Sequence, residues 1–269
     1  MKKSFAPLIK VLAEDYEIPQ LGKDRRICAL LPHNYRKSRQ HYPVLYLQDG
    51  QNLFGDKSPF GNWAIDEKLT KLAKIGKGDI IIIAIDHAEE ERLKEFSPFR
   101  RTKLGRGEGK KYVHFLANTL KPYVDKNFRT LPSREFTGVG GSSMGGLISI
   151  YAGLMRPEMF GKLMIFSPSL WISPNIYWDA IHFMIPYQMD IYLYAGGEES
   201  KNMIPTTRRL KNILEQKGMD FSKINLNMSI DPLGQHHESY WGEEFPKAIQ
   251  WLYFNPDNKV HEISNTNAI

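Results

Sequence analysis

Short apolar runs alternate with stretches of helical periodicity along most of this chain. Each run is almost continuously apolar and too short for a helix, which is typical of strands that are covered on both faces. The runs lie at 43–47, 80–85, 136–140, 163–166 and 191–195. Strands that alternate with helices in this way predict an α/β fold with a mostly parallel central sheet and helices on both faces.

Three stretches place apolar residues at helical spacing, namely 112–123, 147–154 and 241–252. We expect each of them to form a helix that packs its apolar stripe against the sheet. Residues 8–14 and 24–32, which precede the first buried run, have the pattern of two antiparallel strands. The sequence therefore predicts an antiparallel start to a sheet that is otherwise parallel.

No internal repeat and no long Pro/Gly/Ser-rich linker divides the 269 residues. The composition, with 42% hydrophobic and 25% charged residues, is ordinary for a soluble globular domain and excludes a disordered, collagen-like or coiled-coil chain. A chain of this length can bury one large core. We predict a single α/β domain over residues 1–254, followed by a polar C-terminal tail over residues 255–269.

The single cysteine, Cys28, cannot form an internal disulfide, so nothing in the sequence demands an oxidising compartment. It lies in the strand-like segment 26–31, where a small buried thiol is a better interpretation than a nucleophile. No apolar run approaches the roughly 18 residues of a membrane span. The basic start Met1–Lys3 resembles a secretion signal, but Pro7 and Lys10 interrupt its apolar stretch. We therefore expect a cytoplasmic protein.

The formal net charge of +6 is concentrated in one segment, residues 100–111. Glu108 is the one acidic residue in this segment, and the basic residues are Arg100, Arg101, Lys103, Arg106, Lys110 and Lys111. Such a patch could bind nucleic acid or an anionic ligand, but a glycine-rich charged stretch is more often a solvated loop. We favour the loop, and the sequence predicts no nucleic-acid partner.

The segment Gly141-Ser142-Ser143-Met144-Gly145 matches the pattern G-x-S-x-G. It directly follows the run 136–140 and precedes the helical stripe 147–154, which is the strand–turn–helix setting that this motif requires. Glycines beside the serine let strand and helix approach closely, and the turn exposes the hydroxyl. The N–H groups of the following helix would face an oxyanion formed there. We predict Ser143 as a nucleophile; the phosphate-loop alternative lacks G-K-[ST].

A serine nucleophile needs a histidine base, which in this fold class follows it in the chain. His182 lies in an aromatic segment and is a candidate for packing. His236 follows Gly234-Gln235 in a loop before the last predicted helix, where its imidazole could reach the edge of the sheet. The adjacent pair His236 and His237 could suggest a metal, but no carboxylate-rich partner motif accompanies it. We predict His236 as the base and no metal site.

The base needs an acid to orient it. Glu198 and Glu199 follow the run 191–195 after a glycine turn, and catalytic side chains in α/β sheets lie beyond the carboxyl ends of strands. Asp231, just before His236, is the competing candidate. The residues themselves leave the choice among these carboxylates open.

Six segments in order resemble the putative-esterase family of α/β-hydrolases, which includes esterase D-like, feruloyl and enterochelin esterase-like enzymes. The resemblance covers most of the chain. The segments lie at 46–54, 92–98, 140–146, 166–171, 194–200 and 234–241. This sequence differs from many members of that family at Asp49-Gly50, where they carry His-Gly.

The resemblance implies Ser143 as nucleophile, His236 as base and Glu199 as acid. It also implies an oxyanion hole made by the backbone N–H groups of Met144 and Gln51. No metal or cofactor is needed for the chemistry that these roles describe.

The resemblance further implies a serine carboxylic-ester hydrolase that works through an acyl-enzyme, on a short-acyl, aryl or carbohydrate-linked ester. Trp63 and Trp171 are candidate substrate contacts, although large aromatic residues belong to the core at least as often. Two alternatives are retained. The same fold could serve a thioesterase, including an S-formylglutathione hydrolase, or an acyltransferase, and a different class would be a non-catalytic binding module.

Overall fold

The computed structural model of the chain describes residues 4–55, 58, 61–99, 105–183, 187–220 and 224–255. Residues 100–104 of the predicted basic segment and 256–269 of the predicted tail lie outside the described residues. In the described part of that segment, Glu108 pairs with Lys111 at 2.8 Å and with Lys94 at 3.5 Å.

One eight-stranded sheet runs through the described chain, in the order β1-β2-β4-β3-β5-β6-β7-β8. The β1–β2 and β2–β4 pairs are antiparallel, whereas the pairs from β4 across to β8 are parallel. The mostly parallel sheet with an antiparallel start is therefore confirmed. The strands are β1 Leu8–Ile18, β2 Lys23–Leu31, β3 Val44–Gln48, β4 Ile81–Ile85, β5 Thr137–Ser142, β6 Lys162–Phe166, β7 Met189–Gly196 and β8 Ile224–Asp231.

Helices cover both faces of the sheet. They are α1 Ile65–Lys74, α2 Arg92–Glu95, α3 Gly109–Phe115, α4 Lys121–Asn127, α5 Met144–Met155, α6 Ile176–His182, α7 Met203–Asp220 and α8 Glu238–Phe254. Successive residues of β3 belong to opposite cores: Val44 and Tyr46 pack with α3 to α7, and Leu45 and Leu47 pack with α1 and α8. This alternation is the expected result of a strand with apolar side chains on both faces.

The last strand, β8, contains no continuously apolar run. Among the described strands it lies at the edge of the sheet, where it pairs with β7. Its apolar residues Ile224, Leu226 and Met228 alternate with polar ones and are partly buried against the core. An edge strand that buries one face shows a period of two, which is a weaker signal than a continuous run.

Cys28 is buried in β2, and burial raises the pKa of its thiol to about 11. The thiol is therefore protonated near neutral pH, which fits a packing role. Among the helices of the described ranges, none is long and apolar enough to cross a membrane.

Candidate active site

The carboxyl ends of the parallel strands meet at one edge of the sheet, and the candidate residues follow them. Ser143 comes directly after β5, Glu199 follows β7 by a glycine turn, and His236 follows β8. The strands are in register across this edge, through the pairs Leu47↔Gly140, Ser142↔Phe166, Phe166↔Tyr194 and Gly196↔Asp231. Parallel pairing thus gathers residues that are almost 100 positions apart in the chain.

Ser143 occupies a sharp turn between β5 and α5. Its backbone has φ 56° and ψ −119°, a conformation that a residue with a side chain adopts only at a cost. The Ser143 N–H donates to the Phe166 carbonyl at 3.0 Å, and the Ser143 carbonyl accepts from the Ser169 and Leu147 N–H groups. These bonds to β6 and α5 hold the strained turn in place.

The two motif glycines face each other where strand and helix cross. A Cβ on Gly141 would lie 2.9 Å from the backbone carbonyl carbon of Gly145, closer than real Cβ contacts come. A Cβ on Gly145 would lie 2.9 Å from Asp49 Oδ2 and 3.0 Å from Gln48 Cβ. The close approach that the sequence predicts at this motif is therefore present, and it also brings the end of β3 against the start of α5.

Glu199 and His236 form a short hydrogen bond. Glu199 Oε2 lies 2.6 Å from His236 Nδ1, and the side chains are 1% and 38% exposed, respectively. A buried carboxylate that accepts from Nδ1–H leaves Nε2 of the neutral imidazole as a proton acceptor. His236 and Ser143 line the same cleft.

The competing acids have other environments. Glu198 is exposed, and its backbone N–H donates to the Gly234 carbonyl at 2.9 Å. Asp231 Oδ1 accepts from the Leu233 N–H at 3.0 Å and so stabilises its own turn. Of the three carboxylates, Glu199 is the one that the structure brings to His236.

His182 and His237 have structural contacts. The His182 ring packs on Trp178 with 3.9 Å between the ring centroids. His237 is the N-cap of α8, where its Nδ1 accepts from the Ser239 N–H at 3.2 Å. Within the described ranges, no three His, Cys, Asp or Glu side chains are grouped closely enough to hold a metal ion.

The oxyanion donors predicted from the resemblance lie on two neighbouring elements. Met144 is the first residue of α5, and first-turn N–H groups have no acceptor within their own helix. Gln51 lies in the single turn Gly50–Asn52 that follows β3, and its side-chain Oε1 accepts from the His87 N–H at 2.9 Å. The Gln51 loop is therefore anchored to the segment after β4.

Asp49 anchors the same loop from its other side. It has φ 59° and is buried, and its two carboxylate oxygens accept from Arg92 Nε and Nη2 at 2.6 and 2.8 Å. A bidentate arginine–carboxylate pair fixes orientation as well as distance. The Asp49 carboxylate is thus held in place beside the start of α5.

The cleft beside Ser143 encloses about 930 Å³. Its described lining contains four carboxylate residues, Asp49, Glu89, Glu90 and Glu238, and one arginine, Arg92. The other lining residues are Asn52, His87, Leu93, Ser142, Ser143, His236, His237 and Trp241. Polar side chains therefore contribute to a lining whose larger part is apolar, and they offer hydrogen-bond partners to a substrate that carries hydroxyl or amide groups.

A second cavity of about 720 Å³ lies near the amino ends of β3, β6 and β7, where Pro43, Lys162 and Asp190 contribute to its lining. Its described lining includes Ser133 but no histidine, so it offers that serine no imidazole base.

The two tryptophans predicted as substrate contacts have different environments. Trp63 is 2% exposed, stacks on Phe166 at 5.4 Å between ring centroids and packs near Trp241, so the structure places it in the core. Trp171 is 57% exposed in the turn after β6, two residues beyond Ser169. Ser169 Oγ lies 3.1 Å from Ser143 Oγ. Trp171 therefore remains a candidate substrate contact and Trp63 does not.

Two further residues beside the acid, Ser167 and Trp241, have no role predicted from the sequence. Ser167 Oγ donates to Glu199 Oε1 at 2.5 Å, and Trp241 Nε1 donates to Ser167 Oγ at 2.9 Å. Both residues fall inside segments that resemble the esterase family, at 166–171 and 234–241. Their position in those two segments is the only feature of the sequence that indicates a role for Ser167 and Trp241.

Replacing Gly141 with alanine tests the close approach at the motif. The new Cβ would meet Gly145 backbone, which cannot rotate away as a side chain could. We expect the free energy of unfolding to fall by about 1–3 kcal/mol, as for other overpacked sites. Chemical denaturation measures this change, and an unaltered unfolding midpoint would contradict the packing argument.

Glu238→Gln tests the electrostatics of the cleft. Burial raises the pKa of the Glu238 carboxyl above its ordinary value. The folded state therefore holds this proton more tightly than the unfolded state does, and the wild type loses stability as pH rises from the ordinary value through the raised one. Glutamine cannot ionise, so the variant should gain stability relative to the wild type between about pH 4 and about pH 8.

Glu243→Gln is the matched control of opposite sign. A hydrogen bond from Lys68 lowers the pKa of the Glu243 carboxyl, so its stabilisation is present at neutral pH and lost as pH falls through the lowered value. This variant should lose a small amount of stability near pH 8 and less near pH 4, where the stabilisation has begun to disappear. The loss is small because the carboxylate is largely exposed. Urea unfolding of the wild type and both variants at the two pH values measures these changes in stability. If both variants changed with pH in the same direction relative to the wild type, the prediction would be contradicted.

Comparison with known proteins places the chain among esterases. The protein YbbA of Bacillus subtilis is 28% identical over 244 residues, which cover 86% of this chain and 93% of that protein. Ferri-bacillibactin esterase BesA of the same organism is 27% identical over 160 residues, 53% of each chain.

Solved structures show the same fold. The enterobactin esterase FES of Shigella flexneri, determined with enterobactin, has a TM-score of 0.72 at 19% identity and covers 94% of this chain and 60% of its own. The ferulic acid esterase AmCE1/Fae1A of Anaeromyces mucronatus, determined with ferulic acid, has a TM-score of 0.67 at 19% identity, with coverages of 93% and 92%. The family described as "Putative esterase" matches residues 18–252. The chain therefore belongs to the putative-esterase family of hydrolases, and its fold is that of the α/β-hydrolase-like esterases.

Proposed function

We propose that this protein is a serine carboxylic-ester hydrolase with Ser143 as nucleophile, His236 as general base and Glu199 as the orienting acid. The observation that carries the proposal is the 2.6 Å bond from buried Glu199 to His236, beside the cleft that His236 shares with Ser143. An imidazole bonded to a buried carboxylate, with a serine on the same cleft, supplies the base, the acid and the nucleophile that serine hydrolases use.

Acylation begins when Ser143 Oγ attacks the ester carbonyl and His236 Nε2 accepts the hydroxyl proton. Glu199 remains ionised and stabilises the imidazolium through Nδ1. The tetrahedral intermediate carries a negative oxygen, which accepts from the Met144 and Gln51 N–H groups. One such donor contributes about 3–4 kcal/mol where it has been measured. Collapse of the intermediate breaks the bond to the alcohol, which takes the proton from His236.

Deacylation repeats these steps with water. His236 removes a proton from the water molecule as it attacks the acyl-serine carbonyl, and the same donors hold the second oxyanion. His236 then returns the proton to Ser143 Oγ, which releases the carboxylic acid and regenerates the enzyme. The cycle uses no metal or cofactor.

We propose an oxygen ester with an aryl or carbohydrate-linked acyl group as the substrate. Structural relatives were determined with enterobactin, with 2,3-dihydroxy-N-benzoyl-serine, which carries an aromatic acyl group, and with ferulic acid. The polar side chains in the cleft lining offer hydrogen-bond partners to a substrate that carries hydroxyl groups. Trp171 is exposed two residues beyond Ser169, which contacts Ser143, and it offers an aromatic surface there.

Ser143→Ala tests the nucleophile. The variant keeps the strained backbone but lacks the attacking oxygen, so kcat for short p-nitrophenyl esters should fall by about 10⁴-fold or more. Labelling by a fluorophosphonate should be lost as well. Ser149→Ala is the control, because Ser149 is buried on α5 and its hydroxyl has no hydrogen-bond partner within the described structure.

Wild-type turnover by a folded Ser143→Ala protein would refute the assignment. A panel of acetyl, feruloyl and thioester substrates, run with and without alcohol acceptors, then tests the reaction class. Faster turnover of oxygen esters than of thioesters, with the free acid as product, supports the hydrolase. A preference for thioesters or transfer to acceptors would replace it.

Trp171→Ala tests the aryl contact. The indole ring is exposed and its removal leaves the core intact, so stability should change little. We expect the ratio of kcat/KM for feruloyl over acetyl esters to fall by about tenfold, the scale of one aromatic contact. An unchanged ratio would remove Trp171 from the substrate-binding set.

A further inference from the structure

Ser167 has an unusual backbone for a fully buried serine. It is the first residue after β6, is 0% exposed and has φ 43°. A residue with a side chain is strained in this region, and such strain persists where the surrounding structure fixes it. Glycine would relieve the strain, so the presence of a serine directs attention to its hydroxyl.

The Ser167 hydroxyl joins two groups in a fixed direction. An indole N–H can only donate, so Ser167 Oγ must be the acceptor of the 2.9 Å bond from Trp241 Nε1. The single hydroxyl proton is then directed to Glu199 Oε1 at 2.5 Å. The chain of donors therefore runs from Trp241 through Ser167 to Glu199.

These hydrogen bonds determine which oxygen of Glu199 is available to the base. Oε1 accepts from Ser167 Oγ and also from the Gly196 N–H at 2.7 Å, while Oε2 lies 2.6 Å from His236 Nδ1. With Oε1 held by two donors, the carboxylate cannot rotate without losing charge-assisted hydrogen bonds. Trp241 also packs its ring edge-on against His236, with 4.9 Å between centroids.

We propose that Ser167 is a positioning residue for the reaction, which acts through Glu199 and whose hydroxyl direction is set by Trp241. The inference rests on the proposed function. Ser167 does not contact the reacting atoms; it fixes the carboxylate plane so that His236 holds the correct tautomer and orientation toward Ser143. Its loss should therefore reduce kcat and leave substrate binding unchanged.

A pair of variants separates the hydroxyl from the backbone. Ser167→Ala removes the hydroxyl and keeps the strain, whereas Ser167→Gly removes both. We expect kcat for p-nitrophenyl acetate to fall by about 10- to 100-fold in both variants, the value of one hydrogen bond to a charged group, with KM changed less than about twofold. Ser149→Ala, the buried serine control, should retain the wild-type kcat. Wild-type turnover by Ser167→Gly would overturn the proposal, since it would show that the reaction does not need the hydroxyl.

A double-mutant cycle tests whether Ser167 acts through Glu199. Glu199→Gln alone should reduce kcat, and adding Ser167→Ala to it should cost less than about twofold more, because residues of one catalytic unit are not additive. An equal loss in both backgrounds would overturn the proposal. Failure of the proposed function is distinguishable, because it would appear as turnover by Ser143→Ala whatever the Ser167 variants do.

Trp241→Phe provides a second route if the Ser167 variants unfold. Phenylalanine keeps an aromatic ring but cannot donate, so the Ser167 hydroxyl loses its fixed direction. We expect a fall in kcat of about 2- to 10-fold, the value of a neutral hydrogen bond, and no further fall when Glu199→Gln is present. A full additional loss in that background would contradict the coupling.

Discussion

In-register parallel pairing from β3 through β5, β6 and β7 to β8 is the constraint on which the site depends. These strands end at one edge of the sheet, so the residue after each end reaches the same region of space. A slip of one residue would turn every following side chain to the other face. The buried apolar residues on both faces oppose such a slip, and the core therefore fixes the distance between Glu199 and His236.

The acid is held by more than its partner base. Glu199 is almost fully buried, and a buried carboxylate is tolerated only where donors replace its lost water. The hydroxyl of Ser167, the amide of Gly196 and the imidazole of His236 supply them. The orientation of the base is therefore a property of the β6 and β7 ends together, and it does not reside in the histidine loop alone.

The sequence predicted the parts of this protein that repeat a simple pattern. Continuous apolar runs located the central strands, and the glycine pair around Ser143 located the strand–turn–helix. The same pattern did not predict β8, in which apolar and polar residues alternate. It also could not separate Glu198 from Glu199, because the two adjacent carboxylates differ only in the direction that the glycine turn gives them. Burial of Trp63 likewise depends on stacking with Phe166, a partner more than 100 residues away in the chain.

Backbone strain links the elements of the site. Five non-glycine residues in the described ranges have positive φ. Three of them, Asp49, Ser143 and Ser167, are the first residues after β3, β5 and β6. Each such conformation costs about 1–3 kcal/mol, which the surrounding bonds must offset. Asp49 is clamped by Arg92, Ser143 is bonded to Phe166, and Ser167 lies between Trp241 and Glu199. Three adjacent strands therefore end in sharp turns at the same edge of the sheet. These turns hold the side chains of Asp49 and Ser143 at the cleft and that of Ser167 at Glu199, whereas a strand that continued in an extended conformation would place them farther along its own direction.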